Sequence, residues 1–251
     1  MGAISQRAYF RFYAQLNDFL TCERRGLSFV YVFQAGGAAK GMIEALGVPH
    51  TEIDLILVNG VSADFSWPVL DGDRISVYPR FQSIDIESLT QVRLSDLPEA
   101  RFVTDTHLGR LASYLRMLGF DTLYRNDYCD AELAELSRSQ GRALLTKDVG
   151  LLKRSSVTHG YFVREVHPPW QLREVVRHFG LSGAMAPFQR CLRCNSLLQP
   201  TVKQDVEGRL PPRTRKLFND FHLCPACGRI YWKGSHYEHM QRLVDSVTTQ
   251  S

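Results

Sequence analysis

Two C-x-x-C pairs constrain the C-terminal part of this chain more than any other sequence feature. They are Cys191 with Cys194 and Cys224 with Cys227. Four thiolates in this arrangement favour Zn²⁺ in a closed tetrahedral site, in which no coordination position remains for water. The pairs therefore predict a structural zinc ribbon over residues 187–240, followed by a C-terminal tail over residues 241–251.

The rest of the sequence is typical of a protein that works in the cytoplasm, with no membrane partner. No apolar run approaches the roughly 18 residues that span a bilayer. The N-terminus lacks the charged start, apolar stretch and cleavage site of a signal peptide, and paired cysteines in a reducing compartment bind metal rather than form disulfides. The net charge is +4, and the basic excess lies in residues 187–240, which favours nucleic acid as a partner.

Residues 1–95 show the order strand, strand, helix, strand, strand. In chain order, the segments are residues 8–13, 27–33, 36–46, 54–59 and 74–78. Residues 27–33 are rich in β-branched and aromatic side chains, and Asn59-Gly60 is a turn signal. This order predicts a β-grasp, ubiquitin-like domain.

Within this domain, residues 58–60 (VNG) and 70–77 (LDGDRISV) resemble the sulfur-carrier branch of ubiquitin-like proteins. Such carriers need a free C-terminal glycine pair, whereas this chain continues beyond Tyr78 without one. Sulfur transfer from a processed terminus near Gln82 is therefore the weakest hypothesis. We expect a docking or regulatory module, with a protein partner of its own.

Residues 100–183 alternate strands with helices. The predicted strands are residues 102–105, 121–124, 143–146 and 160–163. Helical spacing of leucines separates the first two strands, and a closing helix is expected over residues 171–179. Such alternation predicts an α/β domain with a parallel sheet and right-handed crossovers.

Acidic residues recur where these strands end. Asp105 and Asp148 follow the first and third strands, and Asp130 follows the second. Ligands of parallel sheets gather at the carboxyl ends of strands, and carboxylates placed together there repel one another unless a cation such as Mg²⁺ or Mn²⁺ is bound. Each aspartate alone is better explained as a turn residue or a helix cap, but the set predicts a metal site, with Asp127 and Glu132 as possible auxiliary acids.

Several longer blocks resemble the Mut7-C ribonuclease family, a branch of the PIN-like nucleases. The blocks are residues 102–112 (FVTDTHLGRLA), 115–124 (LRMLGFDTLY), 130–133 (DAEL), 144–148 (LLTKD), 191–195 (CLRCN) and 224–236 (CPACGRIYWKGSH). The resemblance implies a PIN-like three-layer α/β fold, with Asp105, Asp130 and Asp148 as catalytic acids that hold Mg²⁺ or Mn²⁺. It also implies that residues 1–95 are the ubiquitin-like domain found fused to this family.

Basic side chains lie near both predicted metal sites. Candidates for RNA contacts are Arg110, Arg116, Lys147 and Arg154 in the α/β domain, and Arg193, Arg213, Arg215 and Lys233 in the ribbon. In the ribbon they are interleaved with aromatic residues, a combination that suits single-stranded or looped RNA.

These features favour a ribonuclease in which metal-activated water attacks phosphorus of a structured RNA such as tRNA or rRNA. One alternative is an RNA- or ribosome-binding adaptor whose acidic centre has lost catalysis. A narrower variant of the enzyme hypothesis is a toxin of the toxin–antitoxin kind. The sequence of one chain does not show whether an antitoxin accompanies it.

Overall fold

The computed structural model describes residues 5–81, 84–92 and 99–248. These residues have a mixed α/β structure and divide into two compact units. The first unit combines the described residues before 93 with Ala134–Phe162, and the second combines Glu99–Leu133 with the described residues from Val163 onward. Gln82, where sulfur transfer would need a processed terminus, lies outside the described residues, as do residues 249–251 of the predicted tail.

The N-terminal part of the first unit has a β-grasp fold, as the sequence predicted. Its elements are β1 (Ser5–Phe12), β2 (Phe29–Gln34), α1 (Ala39–Ala45), β3 (Ile53–Val58), β4 (Val61–Ala63) and β5 (Arg74–Pro79). The sheet has the order β2-β1-β5-β3-β4. β1 and β5 pair in parallel at its centre, whereas the other pairs are antiparallel.

Alternating burial explains why this sheet has a single core face. In β1, Ala8, Phe10 and Phe12 are buried while their neighbours are more exposed, and α1 covers that face with Met42 and Ile43. The predicted Asn59-Gly60 turn is confirmed, because both residues have positive φ angles, 52° and 86°. A two-residue turn between antiparallel strands requires this conformation, which asparagine and glycine adopt most readily.

The α/β region follows, with strands and helices in alternation. Its elements are β6 (Arg101–Thr104), α2 (Gly109–Met117), β7 (Asp121–Leu123), α3 (Asp130–Gln140), β8 (Ala143–Thr146), α4 (Val149–Leu152), β9 (Gly160–Phe162) and α5 (Pro168–His178). In the second unit β6 pairs in parallel with β7. In the first unit β8 pairs in parallel with β9. The four predicted strands are thus confirmed, and the chain passes from the second unit to the first within α3.

Helix α2 shows how the leucine spacing shapes the second unit. It buries Leu111, Ala112 and Leu115 on one face and packs against α5. Gly119 then ends the helical segment with a φ of 99°, at a point where a Cβ atom would collide with the carbonyl of Ala186. Glycine is therefore required both by the backbone conformation and by the close approach of the chain.

The C-terminal part of the second unit is a small ribbon followed by a helix. Its elements are β10 (Gln199–Thr201), α6 (Lys203–Val206), α7 (Pro212–Leu217), β11 (Phe221–Leu223), β12 (Ile230–Tyr231) and α8 (Ser235–Thr248). The sheet β10-β11-β12 is antiparallel and rests on a core of Val206, Leu210 and Phe221. α8 continues past residue 240 and packs against α5. Within the described ranges, no helix is both long and apolar enough to cross a membrane.

Candidate metal centres

The four paired cysteines converge in the ribbon. Their Sγ atoms all lie within 4.8 Å of one another, with 3.6 Å between Cys191 and Cys227 and 3.3 Å between Cys194 and Cys224. Tetrahedral zinc with Zn–S bonds of about 2.3 Å needs sulfur atoms about 3.8 Å apart. The cluster is therefore close to the size of a zinc site, and its donor set fits that ion.

The two C-x-x-C pairs form equivalent backbone knuckles. Asn195 N–H donates to the carbonyl of Cys191, and Gly228 N–H donates to that of Cys224, both at 2.9 Å. In each knuckle, the first cysteine also donates its own N–H to the residue that follows the turn. Asn195 and Gly228 have φ angles of 72° and 70°, the left-handed region that these two residue types enter most easily. The residue after each second cysteine thus lets the chain curl around the thiols.

Tyr231 adds an interaction that the sequence did not reveal. Its hydroxyl lies 3.1 Å from Cys191 Sγ and accepts the N–H of Leu192 at 3.2 Å. Burial by itself would raise the pKa of Cys191, but hydrogen bonds from Tyr231 and from backbone N–H groups lower it to about 6. Partial desolvation and the neighbouring thiols raise the pKa of Cys194 to about 12. Occupancy by a metal would hold all four as thiolates.

Asn195 also fixes the first knuckle to the α/β region of the same unit. Its Oδ1 accepts the backbone N–H of Thr122 at 3.0 Å, and its Nδ2 donates to Asp121 Oδ1 at 2.7 Å. Both partners belong to β7. Asn195 therefore stabilises the turn through its backbone N–H and contacts the strand through its side-chain amide.

Arg116 has a structural role in place of the RNA contact predicted for it. Its side chain is only 3% exposed. Its Nε donates to the carbonyl of Thr122 at 2.9 Å, and its Nη1 donates to those of Leu192 at 3.1 Å and Arg193 at 2.7 Å. Burial lowers the pKa of this guanidinium. Because its donors bind these carbonyls inside the unit, Arg116 does not belong to a surface that could meet phosphate.

The three predicted acids are divided between the two units. Asp105, in the second unit, directly follows β6, is 9% exposed and accepts the Thr106 hydroxyl at 2.8 Å. Asp130, also in the second unit, is the exposed first residue of α3. Asp148 belongs to the first unit and follows β8. Asp105 therefore comes directly after a strand, Asp148 lies two residues beyond one, and Asp130 begins the helix that follows β7.

Asp148 caps α4. Its Oδ1 accepts the N–H groups of Gly150 at 2.7 Å and Leu151 at 3.2 Å, and its own N–H donates to the hydroxyl of Thr146 at 2.9 Å. This is an N-cap arrangement, which aspartate and asparagine serve about equally well. The cap fixes the direction of the carboxylate, and an amide could replace it there without loss of the cap.

The two auxiliary acids also have local partners. Asp127 forms a two-point contact with Arg125, at 2.8 and 2.9 Å, and this hydrogen bonding lowers the pKa of the exposed carboxylate. Glu132 Oε2 accepts the N–H of Cys129 at 3.0 Å, which lowers its pKa as well. That bond is half of a capping box at the start of α3. Each contact accounts for its acid without a metal.

The basic candidates other than Arg116 are distributed over the surface. Arg110, Arg154, Arg193, Arg213, Arg215 and Lys233 are exposed, and Lys147 is half-buried. Lys233 Nζ lies over the ring of Tyr237, 5.8 Å from its centre. Arg213 lines a groove on the ribbon together with Arg229, a residue that was not among the predicted RNA contacts.

Comparison with known proteins identifies the two parts of the chain separately. A family model described as Mut7-C RNAse domain matches residues 100–244. A second one, described as Mut7-C ubiquitin, matches residues 5–85. The same comparisons find no match among curated proteins and none among solved structures. The two matches follow one another in the order that the sequence predicted.

Proposed function

Because the chain belongs to the Mut7-C RNAse domain family, we propose that it is a Mg²⁺- or Mn²⁺-dependent ribonuclease that hydrolyses phosphodiester bonds of structured RNA such as tRNA or rRNA. The observation that carries this proposal is the family match over residues 100–244, more than half of the chain. The proposed divisions are a ubiquitin-like domain over 1–95, a nuclease domain over 100–183, a ribbon over 187–240 and a tail. We further propose that the protein acts in the cytoplasm.

In this proposal Asp105, Asp130 and Asp148 hold the divalent cation. Asp105 supports it best, since it directly follows a parallel strand, where the ligands of such sheets gather. A bound Mg²⁺ or Mn²⁺ would supply an activated water and neutralise charge on the phosphodiester. Arg110 and Lys147 are proposed to hold the phosphate of the RNA, as each is close in sequence to one of these acids.

The ribbon is proposed to hold Zn²⁺ through Cys191, Cys194, Cys224 and Cys227. Four cysteines fill a tetrahedral coordination sphere, so this ion would stabilise structure and take no part in the chemistry. The ubiquitin-like domain is proposed to be a docking or regulatory module. The chain continues from this domain into the nuclease region and so lacks the free glycine pair that a sulfur carrier needs.

The test is cleavage of total cellular RNA by the purified full chain, with and without added Mn²⁺, beside the Asp148→Asn variant. Asparagine keeps the cap of α4 and removes the charge, so we expect a normal fold and a cleavage rate at least about 100-fold lower. Asp64→Asn is the matched control, because Asp64 Oδ1 also accepts a backbone N–H, that of Ser66 at 2.8 Å. Cleavage by Asp148→Asn at the wild-type rate would refute the site.

A second candidate function is an RNA-binding adaptor without catalysis. It is favoured by one observation, that Asp148, Asp127 and Glu132 all have local hydrogen-bond roles. Under this alternative, RNA is retarded on a gel by the wild-type protein and stays intact with Mn²⁺, and Asp148→Asn behaves as the wild type does. Discrete metal-dependent fragments would exclude it.

A further inference from the structure

The ribbon carries an open groove with an unusual lining. It encloses about 790 Å³ between α7, β12 and the start of α8. Its lining includes two arginines, Arg213 and Arg229, and the aromatic residues Phe218, Tyr231, Trp232 and Tyr237. Among the described residues that line it, none is acidic. Such a surface attracts anions that also carry flat apolar groups.

The aromatic side chains of the groove are held in place from behind. Trp232 and Phe218 pack against the ribbon core of Val206, Leu210 and Phe221. A Cβ atom on Gly234 would lie 2.9 Å from Trp232 Nε1, so the chain passes as close to the indole as glycine permits. The indole is therefore fixed and half-exposed, which lowers the entropy that a flat ligand would lose on stacking against it.

The positive charges lie at two positions around these rings. Arg213 is exposed on α7, and Arg229 is exposed between the second knuckle and β12. Lys216, on the same short helix as Arg213, is exposed as well but does not line the groove. The two arginines of the groove can pair with successive phosphates of a chain whose bases face the rings.

We propose that this groove binds a single-stranded segment of RNA, with a base stacked on Trp232 and phosphates paired with Arg213 and Arg229. The inference rests on the proposed ribonuclease function and specifies the kind of RNA segment that the protein holds. A duplex keeps its bases stacked on each other and offers mainly phosphates and 2′-hydroxyls. An unpaired stretch is the form that can use both the rings and the cations of the groove.

The test is binding of a fluorescein-labelled 12-nucleotide 2′-O-methyl uridine oligomer to the zinc-loaded full chain, followed by fluorescence anisotropy without Mg²⁺ or Mn²⁺. The modified sugar resists hydrolysis, so binding is measured apart from cleavage. We expect Arg213→Glu to raise the Kd at least about 10-fold and Lys216→Glu less than about 3-fold. Equal effects of these two variants would overturn the groove in favour of a diffuse basic surface.

Stacking is tested by Trp232→Leu, with the exposed Trp170 of α5 as its matched control. We expect Trp232→Leu to raise the Kd about 10-fold, Trp232→Phe to restore most of that loss, and Trp170→Leu to leave the Kd unchanged. Zinc content of each variant shows that the ribbon is intact. If Trp232→Leu fails to retain zinc, the Arg213→Glu variant decides, and a Kd equal to that of the wild type would reject the proposal.

Two competitors test whether the groove prefers single-stranded RNA to other anionic ligands. A duplex of the same length and a decaglutamate peptide are expected to displace the oligomer at least about 10-fold more weakly than unlabelled single strand. Displacement as strong as that by the single strand would reject the proposal. Binding of RNA in the groove without cleavage would refute only the proposed ribonuclease function. Cleavage at the wild-type rate by Arg213→Glu and Trp232→Leu would refute only the proposed binding of RNA in the groove.

Discussion

The β-grasp domain and the ribbon are each joined to a different part of the α/β region, and the two attachments use different chemistry. In the first unit, Glu52 accepts the N–H of Phe162 at 2.7 Å, and His50 Nε2 lies 2.9 Å from the carbonyl of Val157. In the second unit, the attachment uses the guanidinium of Arg116 and the amide of Asn195. Side chains satisfy backbone groups in both, as buried polar groups require.

The difference lies in which of these side chains can titrate near neutral pH. Arginine stays charged and asparagine stays neutral, whereas histidine changes its charge close to pH 6.5. A glutamate and a lysine accompany the histidine, since Glu44 contacts His50 Nδ1 at 2.7 Å and Lys153 Nζ donates to the carbonyl of Glu44 at 2.6 Å. We therefore expect the contacts of His50 to respond to pH and those of Arg116 and Asn195 to be nearly indifferent.

Arg116→Met should have the largest effect, because three backbone carbonyls lose their donor at once. A cost of about 3 kcal/mol is expected, which corresponds to a melting temperature lower by about 6–12 °C. Scanning calorimetry measures it, and faster release of zinc to a chromophoric chelator should accompany it. Arg110→Met on the exposed side of the same helix is the control, expected to change stability by no more than about 0.5 kcal/mol. Similar melting of the two variants would show that the contacts of Arg116 contribute little.

Glu52→Ala should have a smaller and more local effect. Loss of the acceptor for Phe162 N–H is expected to cost about 2 kcal/mol and to speed amide exchange of Phe162 about 30-fold. Hydrogen exchange read at single residues tests this, with the amide of Leu192 in the first knuckle as an internal reference. Glu52→Gln keeps an acceptor oxygen and should exchange more slowly than Glu52→Ala. Parallel acceleration at both amides would mean that the two attachments are not independent.

The effect of pH on His50 should be the smallest. Burial first, and then the charge of Lys40, lower the pKa of His50 below its usual 6.5, against the opposing influence of Glu44. The unfolded chain therefore binds the proton more readily than the folded chain does. The contribution of neutral His50 to the stability of the fold is complete above pH 6.5 and is lost as the pH falls below that value. Amide exchange of Phe162 should accelerate from pH 7.5 to 5.5, after correction for intrinsic rates, more in the wild type than in His50→Gln. An equal pH response in both proteins would remove His50 as the cause.

Local signals explain most of what could be predicted. The Asn59-Gly60 turn, the leucine spacing of α2 and the two C-x-x-C pairs each act over a few residues, and the structure reproduces all three. The same holds for the alternation that defines β6 to β9. Short-range conformational preferences and hydrophobic periodicity can be recognised in a single sequence because the residues that determine them lie close together along the chain.

Arg116 shows the limit of prediction from local sequence. Its carbonyl partners at Leu192 and Arg193 lie 76 and 77 residues away, and nothing near Arg116 in the sequence distinguishes a buried arginine from one that meets phosphate. The contact between His50 and Val157 spans 107 residues. Asp148 marks a different limit, because a helix cap and a metal ligand require the same residue at the same place. Its proposed catalytic role remains a prediction for experiment.

The interleaving of the two units along the chain has a consequence for synthesis on the ribosome. The first unit needs residues up to Phe162, yet Glu99–Leu133 of the second unit emerge before it is complete. The second unit in turn waits for the ribbon and α8. Compact units tend to fold as wholes, with N-terminal ones first, but here a nascent chain that ends before residue 99 lacks a segment of the unit it has begun. The contacts that attach the β-grasp domain to Val157 and Phe162 therefore form only late in synthesis, long after the core residues 8–92 of that domain have emerged.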